Sequence, residues 1–375
     1  MLDLTAFLPA IPGGTTEIMY VLVNGQRYTA FMRAQVRAGF NEAARAFELT
    51  VAAEPNGAVT AAIFRAGTPV SVYATDTLLM QGFVDQYRPH LAAHDASIVV
   101  TGRSKSADLI DSDADHPTGF FQNKDPQQIG AELAQEYGAT FKTDQTLTKL
   151  DQYLITPGET IFRAVEKMTR KQGMTLAGTA EGDINITAPK GQRHAGGLFE
   201  GRNILVGNAD HNWSNRHSKY SIKGQRAVGH GARRLHMVAK TTDSAVSRHR
   251  HKTVIHDDDG TIDDLKKRVT NRRNRAAGNA LKASISVQGF RDEGGKVWEP
   301  GFLVWTESQF LDIAQDMLIE AADYSQSEQG TITLLSLVDP RAYGSNGAGG
   351  GKGAKSGVEW REGTESAVDA TPDDV

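Results

Sequence analysis

Two strand-like runs separated by a short polar break constrain this chain more than any other feature. Gly82-Phe-Val-Asp-Gln-Tyr87-Arg-Pro is followed by Ser97-Ile-Val-Val-Thr-Gly-Arg103-Ser-Lys-Ser-Ala-Asp-Leu-Ile-Asp111. Phe83, Tyr87, Ile98 and Val100 are the β-branched and aromatic residues that suit a pleated, half-buried surface. Gly102 to Ser106 then breaks the pattern before Ala107-Asp-Leu-Ile resumes an apolar face. The stretch holds no recognisable catalytic constellation, so it predicts a part whose work is shape.

The same texture fills the first hundred residues. Strands are predicted over 17–23, 46–52, 69–74, 78–87 and 97–102, separated by breaks such as Asn24-Gly25 and Pro55-Asn56-Gly57, the punctuation of antiparallel sheet. The texture then changes. Asp125-Pro-Gln-Gln-Ile begins with a capping Asp and a Pro at the first helical position. Ile129, Leu133 and Tyr137 recur at helical spacing as far as Gly138. A second helix, 160–172, sets Ile161, Val165 and Met168 on one face and stops at Gly173, and a hairpin over 174–188 follows. Strands return over 203–206, 219–224 and 235–239. A basic helix over 261–281 comes next, then strands over 283–290, 302–306, 315–323 and 331–337.

These readings predict an α+β, β-rich chain: two β-barrel-like domains, 17–104 and 203–343, connected by a smaller α+β domain, 105–202. An N-terminal arm, 1–16, and a tail, 344–375, flank them. The tail is Gly/Lys-rich and then acidic, and such a composition buries too little surface to offset its ordering entropy, so it is expected to be flexible. Ile98-Val-Val-Thr-Gly-Arg and Ile285-Ser-Val-Gln-Gly-Phe-Arg form an internal echo, and chance and duplication account for it equally well.

Composition excludes several classes of function. The absence of cysteine rules out disulfides, thiolate zinc sites and cysteine nucleophiles. No apolar run approaches the roughly 18 residues of a membrane span, and no basic, apolar leader opens the chain, so folding in a reducing cytoplasm without membrane insertion is expected. A net charge of −4 argues against a dedicated nucleic-acid binder. It hides an asymmetry, however: between Arg216 and Lys252 ten Lys and Arg residues face one acid, Asp243, and 266–275 adds more. With Trp213, His217 and Tyr220 nearby, the region 216–275 has the make-up of a phosphate-binding surface that stacks bases, which is the main alternative reading.

Other constellations fail on spacing. His230, His236, His249, His251 and His256 beside Asp257–Asp259 lack a third ligand at defined spacing. The glycines at 349–351 and 353 have neither a preceding strand nor a following helix, so they read as linker. Hydrolase elbows and zinc helices are missing, and scattered carboxylate pairs alone leave glycan hydrolysis a remote alternative. No catalytic, cofactor or metal residue is assigned.

Five stretches in order carry a family resemblance: the opening run with its elbow; Pro157-Gly-Glu-Thr-Ile-Phe-Arg-Ala-Val165; Tyr220-Ser-Ile-Lys-Gly224 with Thr242-Asp-Ser-Ala-Val-Ser-Arg-His-Arg250; Gly289-Phe-Arg-Asp-Glu-Gly-Gly-Lys-Val-Trp298-Glu-Pro-Gly301; and Gly330-Thr-Ile-Thr-Leu-Leu-Ser-Leu-Val-Asp-Pro-Arg-Ala-Tyr343. Together they resemble the baseplate hub protein of Mu-like contractile-tailed phages, over nearly the whole chain before the tail. The residues before Glu17 and the Gly/Lys tail have no counterpart, and Arg248-His-Arg250 replaces a more aromatic stretch.

The resemblance implies a structural, non-enzymatic homotrimer of the virion baseplate, without cofactor and assembled in the host cytoplasm. Its partners would be the tail tube protein, the central spike protein and the baseplate wedge proteins, with the tape-measure protein a further candidate and DNA only passing cargo. Two similar β-domains per subunit would match a six-fold tube to a three-fold spike. Phe83, Tyr87, Trp298, Trp305 and Tyr343 are the candidate packing residues, with core expected for Phe83 and Trp305. Arg103 and Lys105 in the elbow, and Arg268, Arg272 and Arg273 on the basic helix, are candidates for inter-subunit or channel-facing contacts.

Overall fold

A computed structural model of the chain describes residues 17–52, 64–92, 96–224, 237–256 and 261–343. The arm 1–16, the tail 344–375, His230, His236 and Asp257–Asp259 lie outside them.

Seven strands open the chain: β1 Met19–Val23, β2 Gln26–Tyr28, β3 Arg33–Gly39, β4 Ala46–Ala52, β5 Pro69–Ala74, β6 Thr77–Leu91 and β7 Ala96–Ser104. Alternation of buried and half-exposed residues in β1, β4, β5 and β7 is what puts one face of each into a core. A smaller unit follows, with helices α1 Ala107–Asp111, α2 Pro126–Leu133 and α3 Ile161–Lys171, and strands β8 Phe120–Lys124, β9 Phe141–Thr143, β10 Leu150–Leu154, β11 Thr175–Gly178 and β12 Ile184–Thr187. Asp125 caps α2 by accepting from the Gln128 N–H at 2.9 Å, and the Gln128 side chain bonds back to the Asp125 N–H. The helix is shorter than its spacing predicts. It ends at Leu133, and Ala134 to Tyr137 forms a turn closed by the Tyr137 N–H on the Ala134 carbonyl.

The last part contains β13 Leu198–Phe199, β14 Val206–His211, β15 Lys219–Gly224, β16 Met237–Thr242, β17 His251–His256, α4 Ile262–Gly278, β18 Leu281–Gln288, β19 Leu303–Ser308, β20 Ile313–Ser327 and β21 Gly330–Val338, then a 3-10 turn, Pro340–Tyr343. Helix α4 stops at Gly278 because the returning chain crosses it there: a Cβ at Gly278 would lie 2.0 Å from the Ala342 nitrogen. The sheet β16-β15-β17 packs on α4 through Tyr220, Ile222, Met237, Ala239, Leu265 and Val269.

The two expected β-barrel-like domains are not there: among the described residues no sheet closes on itself. One 13-stranded sheet runs in the order β14-β18-β21-β20-β3-β4-β7-β6-β5-β1-β2, with β19 on β20 and β13 on β19. To close the first half, β3 would have to pair with a strand of its own unit. Instead its free side takes the outer half of β20, with Tyr324 opposite Val36 and Asp323 opposite Arg37. The sheet therefore continues from one half into the other, and a single core serves both. Val36, Leu49, Val72 and Val100 share it with Ile285, Met317, Tyr324 and Leu337. At roughly 1.5–3 kcal/mol for each large apolar side chain buried, this shared core resists separation of the halves.

A repeat is nonetheless built into that sheet. The ladder β4-β7-β6-β5 has the same connectivity as β18-β21-β20-β19. In each, a 15-residue strand pairs with one of nine residues and one of six. Each long strand carries an irregularity near its middle, at Val84/Gln86 and at Ile319/Ala321. The echo read from sequence is a different matter. Ile98–Arg103 lies on β7 and Ile285–Gln288 on β18, strands that are not equivalent under this repeat.

Candidate functional site

The repeat makes one asymmetry visible. Strand β3 pairs with β4, as β14 pairs with β18, so β3 and β14 hold the same place. On its other side β3 is paired with Ala321–Ser327, the outer half of β20. The matching outer half of β6, Asp85–Leu91, pairs with β7 alone among the described residues, and β14 pairs with β18 alone. Among the described residues the outer half of β6 and the free side of β14 are thus open strand edges, as are the short strands β2 and β13 at the other margins. Unpaired N–H and C=O groups along an edge are a template for another strand.

Exposure agrees with the ladder. Leu91 on β6 is 77% exposed, and beside β14 Leu205 and Val206 are 52% and 59% exposed. Phe310, in the turn before β20, is 87% exposed. That turn is tied to β14, where His211 Nε2 lies 2.8 Å from the Leu311 carbonyl oxygen. Pro89 within β6 lacks a ladder donor, as suits an edge strand.

Arg103 sits where the β6 edge begins. Its Nε donates to Asp85 Oδ2 and its Nη2 to Asp111 Oδ2, both at 2.7 Å. The Asp111 and Asp85 carboxylates hold the guanidinium's pKa above its ordinary value. Asp85 is the residue skipped in the β6–β7 register, so Arg103 ties that bulge to the elbow helix α1. Lys105 is half-buried, and its Cβ and Cγ flank Gly182 in the turn before β12.

Among the aromatic candidates, Trp298 is buried in the shared core, and its carbonyl accepts from the Tyr324 hydroxyl. Tyr87 packs on the edge of that core. Phe83 and Trp305, expected in the core, are half-buried on the outer sides of their strands, and Trp305 Nε1 donates to Glu307 Oε2 at 3.1 Å. Tyr343 meets Phe40 edge-on, with ring centroids 5.1 Å apart, and donates to Glu320 Oε1 at 2.9 Å.

The basic region is partly spent on structure. Arg216 is buried, its Nε 2.6 Å from Asp243 Oδ2 and its Nη2 3.1 Å from Asp243 Oδ1, with its guanidinium over the Trp213 ring. Arg250 donates to the Trp213 and Ser214 carbonyls. Arg273 bonds Asn274 and Thr241, and Arg268 reaches His256, while Arg272 lies exposed. His251 bonds Ser221 Oγ at 2.9 Å. Among the described residues no three His, Cys, Asp or Glu side chains gather as a metal site, and no helix is long and apolar enough to cross a membrane.

An open cleft of about 500 Å³ separates the middle unit from the large sheet. Two of its cations are committed to structure. Arg45 donates to the Leu79 carbonyl at 2.6 Å and the Gly178 carbonyl at 3.1 Å, bracing the two units, and Arg291 is ion-paired with Glu17 and Asp76.

Comparison with known proteins agrees with this architecture. Residues 18–104 match the family model of the Mu phage baseplate assembly protein GpP-like, N-terminal. Residues 106–188 match the second domain of baseplate hub protein gp44-like, and 261–346 the fourth domain of Mu phage baseplate assembly protein GpP. Baseplate hub protein gp44 of Escherichia phage Mu is 24% identical over 334 residues, 85% of this chain and 87% of that protein. The 43 kDa tail protein of prophage MuSo2 from Shewanella oneidensis superposes with a TM-score of 0.77 at 25% identity, covering 87% of this chain and 99% of that one. A tail protein from Neisseria meningitidis MC58 gives 0.72 at 19% identity, covering 88% and 98%.

The three family models and the phage Mu relative, on an open, duplicated sheet with free strand edges, define a structural protein of a phage tail baseplate. The chain belongs to the baseplate hub proteins of Mu-like contractile-tailed phages, where it forms part of the tube and spike assembly.

Sequence reasoning missed the residues that carry the edges. Leu205 and Val206 fall in the strand read over 203–206, where nothing in the sequence marks an edge, and Phe310 stands outside the strands read from sequence.

Proposed function

We propose that this hub is a homotrimeric adaptor in which β14 of each subunit pairs with the outer half of β6 of the next. The observation that carries the proposal is the inequality of β3 and β14: they are equivalent in the repeat, yet among the described residues only β3 has its second partner. Repeating the β20–β3 contact between chains, as β6 to β14, supplies the missing one. The contact is heterologous, so it forms a ring where the rotation closes. Three subunits with two repeats each present six similar modules, which suits a six-fold tube above and a three-fold spike below.

In this reading residues 17–104 and 203–343 are the two ring modules, 105–202 is the unit between them, and 1–16 and 344–375 are an arm and a tail. The ring docks the tail tube protein and the central spike protein, meets wedge proteins at its rim and the tape-measure protein from above, and lets DNA pass. It assembles in the host cytoplasm before joining the virion. Burial of Leu91, Leu205, Val206 and Phe310 between subunits would remove apolar surface that a lone chain exposes.

Light scattering on the purified full-length chain tests this. A mass three times that of the 40.6 kDa chain is expected, and a monomer at every concentration, inert toward tube and spike proteins, would overturn it.

A further inference from the structure

The outer face of α4 carries a basic stripe that the subunit contacts above do not use. Lys267, Arg268, Arg272 and Arg275 are all exposed: Arg268, Arg272 and Arg275 follow one another at i+4 and i+3 spacing on one row, and Lys267 stands beside that row at its N-terminal end. Arg268 reaches His256, while Lys267, Arg272 and Arg275 have no carboxylate at ion-pair distance among the described residues. From Lys267 to Arg275 the stripe runs about 12 Å at 1.5 Å per residue.

The chain leaves this same helix on its way to the tail. Arg341 and Ala342 cross the last turn of α4 at Gly278. Gly344 to Gly357 then adds 14 residues, and Val358 to Val375 contains Glu359, Glu362, Glu365, Asp369, Asp373 and Asp374 against the single base Arg361. Fourteen residues at up to about 3.6 Å each can reach any point of the stripe. Attachment so close to the stripe gives the tail carboxylates a local concentration in the millimolar range.

We propose that the acidic segment 358–375 lies along the Lys267–Arg275 stripe of its own chain, an electrostatic clasp that keeps polyanions off α4. Charge complementarity, the length of the connection and its point of departure each favour this occupant. The clasp gives the acidic tail a role in a protein that handles DNA only in transit: without it, the stripe would hold phosphates non-specifically.

Two measurements on the full-length protein test it. The first is zero-length carbodiimide cross-linking of a mixture of isotopically labelled and unlabelled chains, read by mass spectrometry. It should give amides between Lys267 Nζ and the tail carboxylates within one chain, lost in about 0.5 M salt, where the Debye length is a few Å. The second uses a variant with the six tail acids changed to Gln and Asn. It should bind a short DNA duplex roughly tenfold more tightly at low salt, and adding Lys267→Ala, Arg272→Ala and Arg275→Ala should cancel that gain. Cross-links that skip Lys267 or join only different chains, or a gain that survives loss of the stripe, would overturn the clasp.

Discussion

Arg37 and Asp323 meet across the seam that joins the two halves of the sheet, Arg37 Nη1 to Asp323 Oδ2 at 2.8 Å, opposite one another on β3 and β20. The same guanidinium also holds Glu42, Nη2 to Oε1 at 2.7 Å. The Asp323 side chain is 9% exposed, so burial pushes its carboxyl pKa up, and Arg37 opposes that shift without cancelling it.

Replacing Arg37 by Met should therefore cost about 1–3 kcal/mol at neutral pH, the figure discounted because the guanidinium is 42% exposed. Without its counter-charge Asp323 takes up a proton more readily folded than unfolded. Between its unfolded pKa and the raised folded one, stability then rises as pH falls. Urea titrations at pH 7 and pH 5 check this: the deficit of the variant should shrink in acid, and a deficit independent of pH would remove Asp323 from the explanation.

His194 and Asp292 should make the second half acid-labile. His194 is buried, its Nδ1 2.8 Å from Asp292 Oδ2, and its Nε2 accepts from the Glu299 N–H at 3.1 Å. Burial is the main cause holding its pKa below the ordinary value. Burial alone would raise the Asp292 carboxyl, but bonds from His194 and from the Lys296 and Ala195 N–H groups outweigh it and lower it. Because the folded imidazole resists protonation, its contribution is present above the unfolded value of about 6.5 and is lost as pH falls below it, by at most about 1.4 kcal/mol per pH unit. Asp292 adds a second loss near and below its unfolded value. His194→Gln should flatten the stability profile between pH 6.5 and pH 5, measured by thermal melts, and an unchanged slope would refute the assignment.

Gly82 and Gly102 let β6 and β7 cross closely at the elbow. A Cβ at Gly102 would lie 2.0 Å from the Phe83 carbonyl oxygen and 2.5 Å from the Phe47 ring, and one at Gly82 would lie 1.9 Å from the Arg103 carbonyl oxygen. Since the obstacles at both are backbone, Gly102→Ala should destabilise by about 2–4 kcal/mol, more than ordinary overpacking. Gly25→Ala, with open space around it but φ +78°, should cost only about 1 kcal/mol. Chemical denaturation of the two variants side by side ranks them.

The sequence made the elements legible wherever side chains alternate strongly. Strands β4, β5 and β15 fall where the apolar pattern puts them, the capping Asp125 marks the start of α2, and Gly173 marks the stop of α3. It concealed the seam because β3, Arg-Ala-Gln-Val-Arg-Ala-Gly, shows its buried face with Ala34, Val36 and Ala38, too small to read as a strand. It misplaced β14 for a related reason. Asn203–Val206 carries the apolar residues, whereas the paired residues are Val206–His211, held by β18 rather than by their own propensity. Barrels were expected because periodicity shows that strands exist and is silent on which strand closes on which. The β20–β3 pairing joins residues nearly three hundred positions apart, and no local signal encodes it.

The free edges yield the most exposed prediction. Leu91 ends the outer half of β6 and Val206 begins β14, and both side chains face solvent in the isolated subunit. Lysine at an open strand edge blocks strand addition while adding little strain. Surface changes of this kind alter folding stability by no more than about 0.5 kcal/mol. The pair Leu91→Lys and Val206→Lys should therefore leave the melting temperature of the subunit nearly unchanged and convert the proposed trimer to a monomer in light scattering. If the doubly substituted chain keeps its trimeric mass, these edges are not where subunits meet. If a single substitution suffices, that one residue anchors the contact.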